Sequence, residues 1–149
     1  MVPMESNAEL HRTVRERLVE RDQRYTTGRR RIVDALVRAA DPVTLPELLS
    51  LEPALAQSSA YRNLSLMEEA GVVRRLVHGR HAHFELAEDL TEHHHHLICE
   101  NCGTIRDITL SARLERSLDT AVDDLARAEG FAPRGHAIDI YGHCARCAA

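Results

Sequence analysis

The stretch QSSAYRNLSLMEEAGVVRRLVHGRHAHFEL, residues 57–86, changes its period halfway along. Tyr61, Leu64 and Met67 recur at helical spacing, and Gly71 stands where a helix would end on a left-handed glycine. From Val73 the spacing shortens to two, turns at His78-Gly79 and resumes in HAHFEL, which is the pattern of a β-hairpin. A helix delivered straight into a hairpin is the closing half of a winged helix-turn-helix unit.

The chain upstream supplies the opening half. ELHRTVRERLVERD puts Leu10, Val14 and Leu18 on one helix face. A break follows at Arg24-Tyr25-Thr26-Thr27-Gly28, and RRRIVDALVRAA forms a second helix with Thr26 or Thr27 as its N-cap. Asp41-Pro42 ends that helix, because the residue before proline is driven out of the α region. Thr44 then caps LPELLSL, with Glu47 three residues on as its partner in a capping box, and Pro53 interrupts again. Residues 12–31 hold eight Arg against Glu16, Glu20 and Asp22, although the whole chain carries a net charge of −4. Contact with phosphates needs such a local field and not a basic protein.

With 149 residues, 44% of them hydrophobic and 28% charged, the chain is sized for one globular domain or two small ones. No apolar run approaches the ~20 residues of a membrane span. The opening MVPMESNAELHRT has no basic-then-apolar leader, so a cytoplasmic location is expected. Ten His and four Cys are many for this length, and all but His11 lie from His78 onward.

Residues 87–92 are polar and aperiodic and read as a hinge. Beyond them HLICENCGTIRDITL gives two short strands around a Cys pair. An amphipathic helix follows with Leu114, Leu118, Ala121, Val122 and Leu125 on one face, and AIDIYGHC alternates as a last strand. Cys99/Cys102 and Cys144/Cys147 form two C-x-x-C pairs. Four thiolates satisfy tetrahedral zinc and leave no open position, so such a site holds structure and does not catalyse. A redox pair is the other reading, and it needs only one C-x-x-C. In the run His93–His96, an extended backbone would point His93 and His95 one way and His94 and His96 the other. One strand can then feed two metal sites; the bland alternative is a solvated polar turn.

Taken together, RYTTGRRRIVDAL, SSAYRNLSLMEEAGVV, the wing ending FEL, HHHHLICENCG and the H-x7-C of HAIDIYGHC resemble the ferric uptake regulator family of metal-dependent transcriptional repressors. The resemblance implies an α+β protein. Residues 1–86 would be a winged helix-turn-helix DNA-binding domain, 87–92 a hinge, and 93–149 a small α/β metal-binding dimerisation domain. A metal-loaded homodimer would bind a palindromic double-stranded DNA operator and repress metal-homeostasis genes. The family pattern places structural Zn(2+) at Cys99, Cys102, Cys144 and Cys147, and a second site at His93, His95, Glu115 and His136. It places a sensing site at Glu85, His94, His96 and Asp107, for a regulatory divalent ion: zinc, iron, manganese or nickel. It also sets Arg24 at the minor groove and Arg29 near the DNA backbone.

The sensing ligands depart from the family's subtypes. Pro42 stands where iron and peroxide sensors add a His, and Arg74 and Ala87 stand where zinc sensors use Asp and Cys. His83 shares a strand face with Glu85, and His81 lies two residues before it; His83, with His81 as a further candidate, is read as the replacement ligand. A wing histidine touching DNA phosphate is the alternative. Recognition helices meet base edges from their first turns, which nominates Gln57, Ser58, Ser59, Tyr61 and Arg62. Tyr61 could meet a thymine methyl and Arg62 a phosphate, unless Tyr61 is a core aromatic under the hairpin. A peroxide-sensing regulator of the same family is the alternative function. A zinc hydrolase lacks support, since no H-E-x-x-H is present and the thiolate site would be saturated, so no enzymatic activity is expected.

Overall fold

The computed structural model describes residues 4–148; Met1–Pro3, part of the opening read for an export signal, and Ala149 lie outside the described residues. The chain divides into two compact units, residues 1–92 and 93–149.

The first unit runs α1 (Met4–Val19), α2 (Thr27–Ala39), α3 (Leu45–Leu51), α4 (Gln57–Glu69), then β1 (Val73–His78) and β2 (His81–Leu86). Thr26 is the cap of α2, its hydroxyl accepting from the Arg29 N–H, and Thr44 and Glu47 close the capping box of α3. Gly71, at φ +71°, lets the Val72 N–H reach the Met67 carbonyl at 2.8 Å and ends α4. The hairpin turn falls one residue later than the sequence suggests. His78 pairs with His81, and the loop is Gly79-Arg80. A two-residue hairpin loop needs positive φ at its first position, and Gly79 takes it at +61°.

Val14, Leu18, Ile32, Val33, Leu48, Leu64, Met67 and Phe84 form the centre of the first unit's core. The buried face of α4 is Ala60, Leu64 and Met67. Tyr61 is therefore not on the core stripe; it faces outward and is 52% exposed. A partly buried polar chain braces the helices beside this core. The Tyr25 hydroxyl donates to His11 Nδ1 at 2.5 Å, and His11 Nε2–H donates to Asp34 Oδ1 at 2.9 Å. This joins α1, the connection to α2, and α2 itself.

The segment read as a hinge is partly built into the first unit. Ala87 N–H donates to the Val72 carbonyl, Glu88–Leu90 make a 3-10 turn, and Leu90 packs on the core. Asp89 pairs with Arg17, whose hydrogen bond holds that carboxyl below its ordinary range. Thr91–His94 remain as the irregular link.

The second unit is a three-stranded sheet in the order β4-β3-β5: β3 (His95–Cys99), β4 (Ile105–Ile108) and β5 (Asp139–Gly142). β3 is antiparallel to β4 and parallel to β5, and α5 (Ala112–Ala128) lies in the crossover between β4 and β5. Ser111 caps α5 by accepting from the Leu114 N–H. Among the described residues only Ile98, Cys99, Ile105 and Ala126 are buried hydrophobics here. The apolar stripe of α5 is not covered in the single chain: Leu114 is exposed and Leu125 is 66% exposed.

Burial holds the Tyr25 hydroxyl protonated well above its ordinary value near 10. Only the unfolded chain can then ionise it, so stability present below about pH 10 is lost as pH rises further. Tyr25→Phe should cost about 1 kcal/mol at neutral pH and flatten that alkaline loss. Urea unfolding of both proteins from neutral pH to about 11 measures it.

Candidate metal centres and DNA-facing residues

The cysteine pairs meet because of strand register. β3 ends at Cys99, which pairs in parallel with Gly142 and so lies beside the second pair. The Cys144 N–H donates to Cys99 Sγ at 3.3 Å. One sulfur of each pair, Cys102 and Cys144, are 3.8 Å apart, and all four sulfurs lie within 4.8 Å of one another. Zinc–sulfur bonds of about 2.3 Å at the tetrahedral angle separate sulfurs by roughly 3.8 Å, so the four thiols fit zinc. The four are free cysteines. Backbone N–H groups of Cys102 and Cys144 pull the Cys99 thiol down to about 5, which makes it a thiolate near neutral pH. Cys147 is pushed up to about 11: the Asn101 side chain lowers it, but hydrogen bonds with Cys144 and the other sulfurs outweigh that. The thiols thus share protons as one set.

The histidine run sends alternate side chains to opposite groups. His93, His95, Glu115 and His136 place their ligating atoms within 4.8 Å of one another. Glu115, in the first turn of α5, lies at the centre: its oxygens are 2.8 Å from His95 Nε2, 3.1 Å from His136 Nε2 and 3.5 Å from His93 Nε2. Desolvation raises the Glu115 pKa, but the hydrogen bonds and charges of His95, His93 and His136 outweigh it and leave the carboxyl below its ordinary value. The Ile138 N–H donates to His95 Nδ1 at 3.2 Å. Neutral His95 therefore carries its proton on Nε2 and donates to Glu115. The four residues that the family pattern joins in one site thus share one cluster around Glu115. Asp119, one turn along α5, lies 3.4 Å from His136 Nδ1, the ring nitrogen facing away from Glu115; the sequence reading did not include it.

His94 and His96 point to Asp107. Their Nε2 atoms are 3.7 and 3.5 Å from its two oxygens, one each. His96 is 2% exposed, and its Nδ1 lies 3.1 Å from Asp139 Oδ1, a contact the sequence reading also missed.

In the first unit, Glu85 is buried on β2 with the Arg74 guanidinium 3.8 Å away on β1. His83 is buried too, and desolvation lowers its pKa, which favours the neutral ring. His81 is exposed. Among the described residues neither His81 nor His83 belongs to a group of three or more ligating side chains. Gln57, Ser58, Ser59, Tyr61 and Arg62 are exposed on the first turns of α4, and Arg24 is exposed before α2. Arg29, expected near the DNA backbone, makes bonds within the first unit. It donates from Nε to Asn63 Oδ1 at 3.0 Å, from Nη1 to the Arg24 carbonyl and from Nη2 to Gln23. Its Nε ties α2 to α4 and its two Nη atoms hold the turn before α2, and burial lowers its pKa.

A winged helix with an exposed recognition turn, in one chain with a sheet carrying thiol and histidine–carboxylate groups, defines a metal-responsive transcriptional regulator. The model of the ferric uptake regulator family matches residues 20–141, and the chain belongs to that family. The peroxide operon regulator of Bacillus subtilis (strain 168) is 32% identical over 137 residues, covering 89% of each chain. Among solved structures, the ferric uptake regulator Fur of Helicobacter pylori, described as revealing three functional metal-binding sites, superposes with a TM-score of 0.73 at 18% identity. That match covers 95% of this chain and 93% of the other. A zinc-bound manganese uptake regulator gives a TM-score of 0.59 at 28% identity, covering 89% and 98%.

Binding free energy at a closed thiolate site is folding free energy, on the order of 10 kcal/mol. Cys102→Ser should lose one zinc per chain and the cooperative folding of the second unit. Zinc analysis together with amide hydrogen exchange of residues 93–148 checks this; a folded variant with unchanged zinc would exclude the assignment.

Proposed function

We propose that the protein is a cytoplasmic, non-catalytic repressor that binds a palindromic DNA operator as a metal-loaded homodimer. The observation carrying this reading is the split of the histidine run, with His94 and His96 turned to Asp107 and away from the group around Glu115. His94, His96 and Asp107 supply the sensing site, and Glu85 of the wing completes it; His83, two residues before Glu85 on the same strand face but outside that group, is kept as the further wing candidate. The ion bound there is zinc, iron, manganese or nickel, since nitrogen and oxygen donors suit each of them. Zinc at the four cysteines maintains structure.

A ligand set contributed by both units makes metal occupancy favour one arrangement of the recognition helices. A preference of a few kcal/mol is enough to switch operator binding. Dimerisation is supported by the uncovered stripe of α5 and by Leu97, Ile140 and Tyr141, exposed apolar side chains on β3 and β5. Two copies related by a two-fold axis would present half-sites about 34–36 Å apart. Exposed Tyr61, Arg62 and the Gln57–Ser59 turn are the base and phosphate contacts, and Arg24 reaches the minor groove. No described helix is long and apolar enough to cross a membrane.

His96→Ala should remove the gain in operator affinity that metal gives, about 5- to 150-fold for a typical coupling, with the dimer and the cysteine zinc retained. Fluorescence anisotropy of labelled operator against metal concentration tests it, and an unchanged curve ends the proposal. Arg62→Ala should weaken all sequences alike and reduce the slope of log affinity against log salt by about 1, whereas Tyr61→Ala should cost discrimination between sites. Binding curves at several salt concentrations on matched and scrambled operators separate the two.

A further inference from the structure

We propose that Asp139 is a positioning residue for metal binding by His94, His96 and Asp107. This rests on the sensing-site reading above and deepens it by assigning what sets His96.

β3 is the middle strand, and its two registers meet at one residue: His96 pairs with Asp107 on β4 and with Asp139 on β5. Directly opposed residues project to the same face of a sheet, so the imidazole has a carboxylate on each side. The two contacts are not equivalent. Nδ1 is 3.1 Å from Asp139 Oδ1, a hydrogen-bond distance, while Nε2 is 3.5 Å from Asp107 Oδ1. An ionised carboxylate only accepts, so Nδ1 carries the proton and Nε2 keeps its lone pair, aimed where His94 Nε2 also approaches Asp107. His95, the preceding residue, is set the other way, because the Ile138 N–H donates to its Nδ1. The β5 segment therefore fixes opposite tautomers in two adjacent histidines, one for a hydrogen bond to Glu115 and one for an ion.

A carboxylate behind a ligating histidine orients the ring and raises its basicity, and losing such a partner costs about 10- to 100-fold in metal affinity. The Asp139 side chain is 38% exposed, so truncating it removes the hydrogen bond without opening a cavity.

Manganese(II) added to protein carrying one zinc per chain is the probe, because its preference for nitrogen and oxygen leaves the cysteines to zinc. Ring NMR reads His94 and His96 separately through paramagnetic broadening. In the parent both rings should broaden, and before manganese the His96 Nδ1–H should exchange slowly with solvent. In Asp139→Ala that proton should exchange fast, and the manganese needed for half-broadening should rise about ten- to a hundredfold. Asp139→Asn, whose amide oxygen still accepts, should fall between, with cysteine zinc unchanged. If Asp139→Ala loses its fold, Asp139→Asn decides by the same two readouts. His96→Ala separates the claims: sparing of His94 at manganese levels that erase it in the parent upholds the site, and no sparing refutes the site itself. If His94 is spared there, yet the Asp139 variants keep the parent's half-broadening and proton exchange, the role of Asp139 is refuted. Loss in both Asp139 variants as complete as in His96→Ala would make Asp139 a ligand, which also overturns the proposal.

Discussion

Three short strands and one helix have too little apolar surface to exclude water, and the rest of the second unit answers to that shortage. Its strands are five, four and four residues long, and its 57 residues fall in the range where a hydrophobic core alone is marginal. Two buried positions on its central strand are histidines, His95 and His96, each facing carboxylates. Cohesion that a larger domain takes from packing is here concentrated in cross-strand polar groups and in the closure of β3 onto the chain after β5 through sulfur. Groups of that kind bind ions, so the feature that makes this unit marginal is the feature that makes it responsive.

The first unit solves the opposite problem. A helix proposed to read base edges must be held still while its outer face stays wet, and α4 has Ala60, Leu64 and Met67 inward and Tyr61 outward. Arg29 adds a second restraint. Its link to Asn63 adds a polar tie between α2 and α4 beside their hydrophobic contacts, and its bond to the Arg24 carbonyl shapes the turn that carries an exposed arginine. The His11–Tyr25–Asp34 chain secures the same turn from below.

What was legible in the sequence was local. The capping box at Thr44, the glycine stop at Gly71, the two cysteine knuckles and the alternation through His93–His96 each follow from spacings of a few residues, and the structure has all of them. What the sequence leaves open is decided by one residue of phase or by a distant partner. Tyr61 and Ala60 differ by about 100° around α4, and either could start an apolar stripe with Leu64. Nothing in the sequence announces Asn63 as a partner of Arg29. Asp139 meets His96 through a parallel register across a helical crossover, which no short pattern encodes. The unexpected depth of His83 and Glu85 has the same origin, since strand alternation tells which residues share a face and not what covers it.

Parallel pairing of β3 with β5 also orders events in time. The first unit has its full set of strands and helices once residue 92 is made, whereas β3 lacks its second neighbour until β5 and the cysteines after it are synthesised. Elongation runs at about 5–20 residues per second, which puts roughly three to ten seconds between the two stages. During that interval a winged helix can already be native on the ribosome while the ion-binding half is an open strand with an unsatisfied edge. In a nascent chain the winged helix would therefore be whole before the thiol and histidine groups of the second unit could assemble.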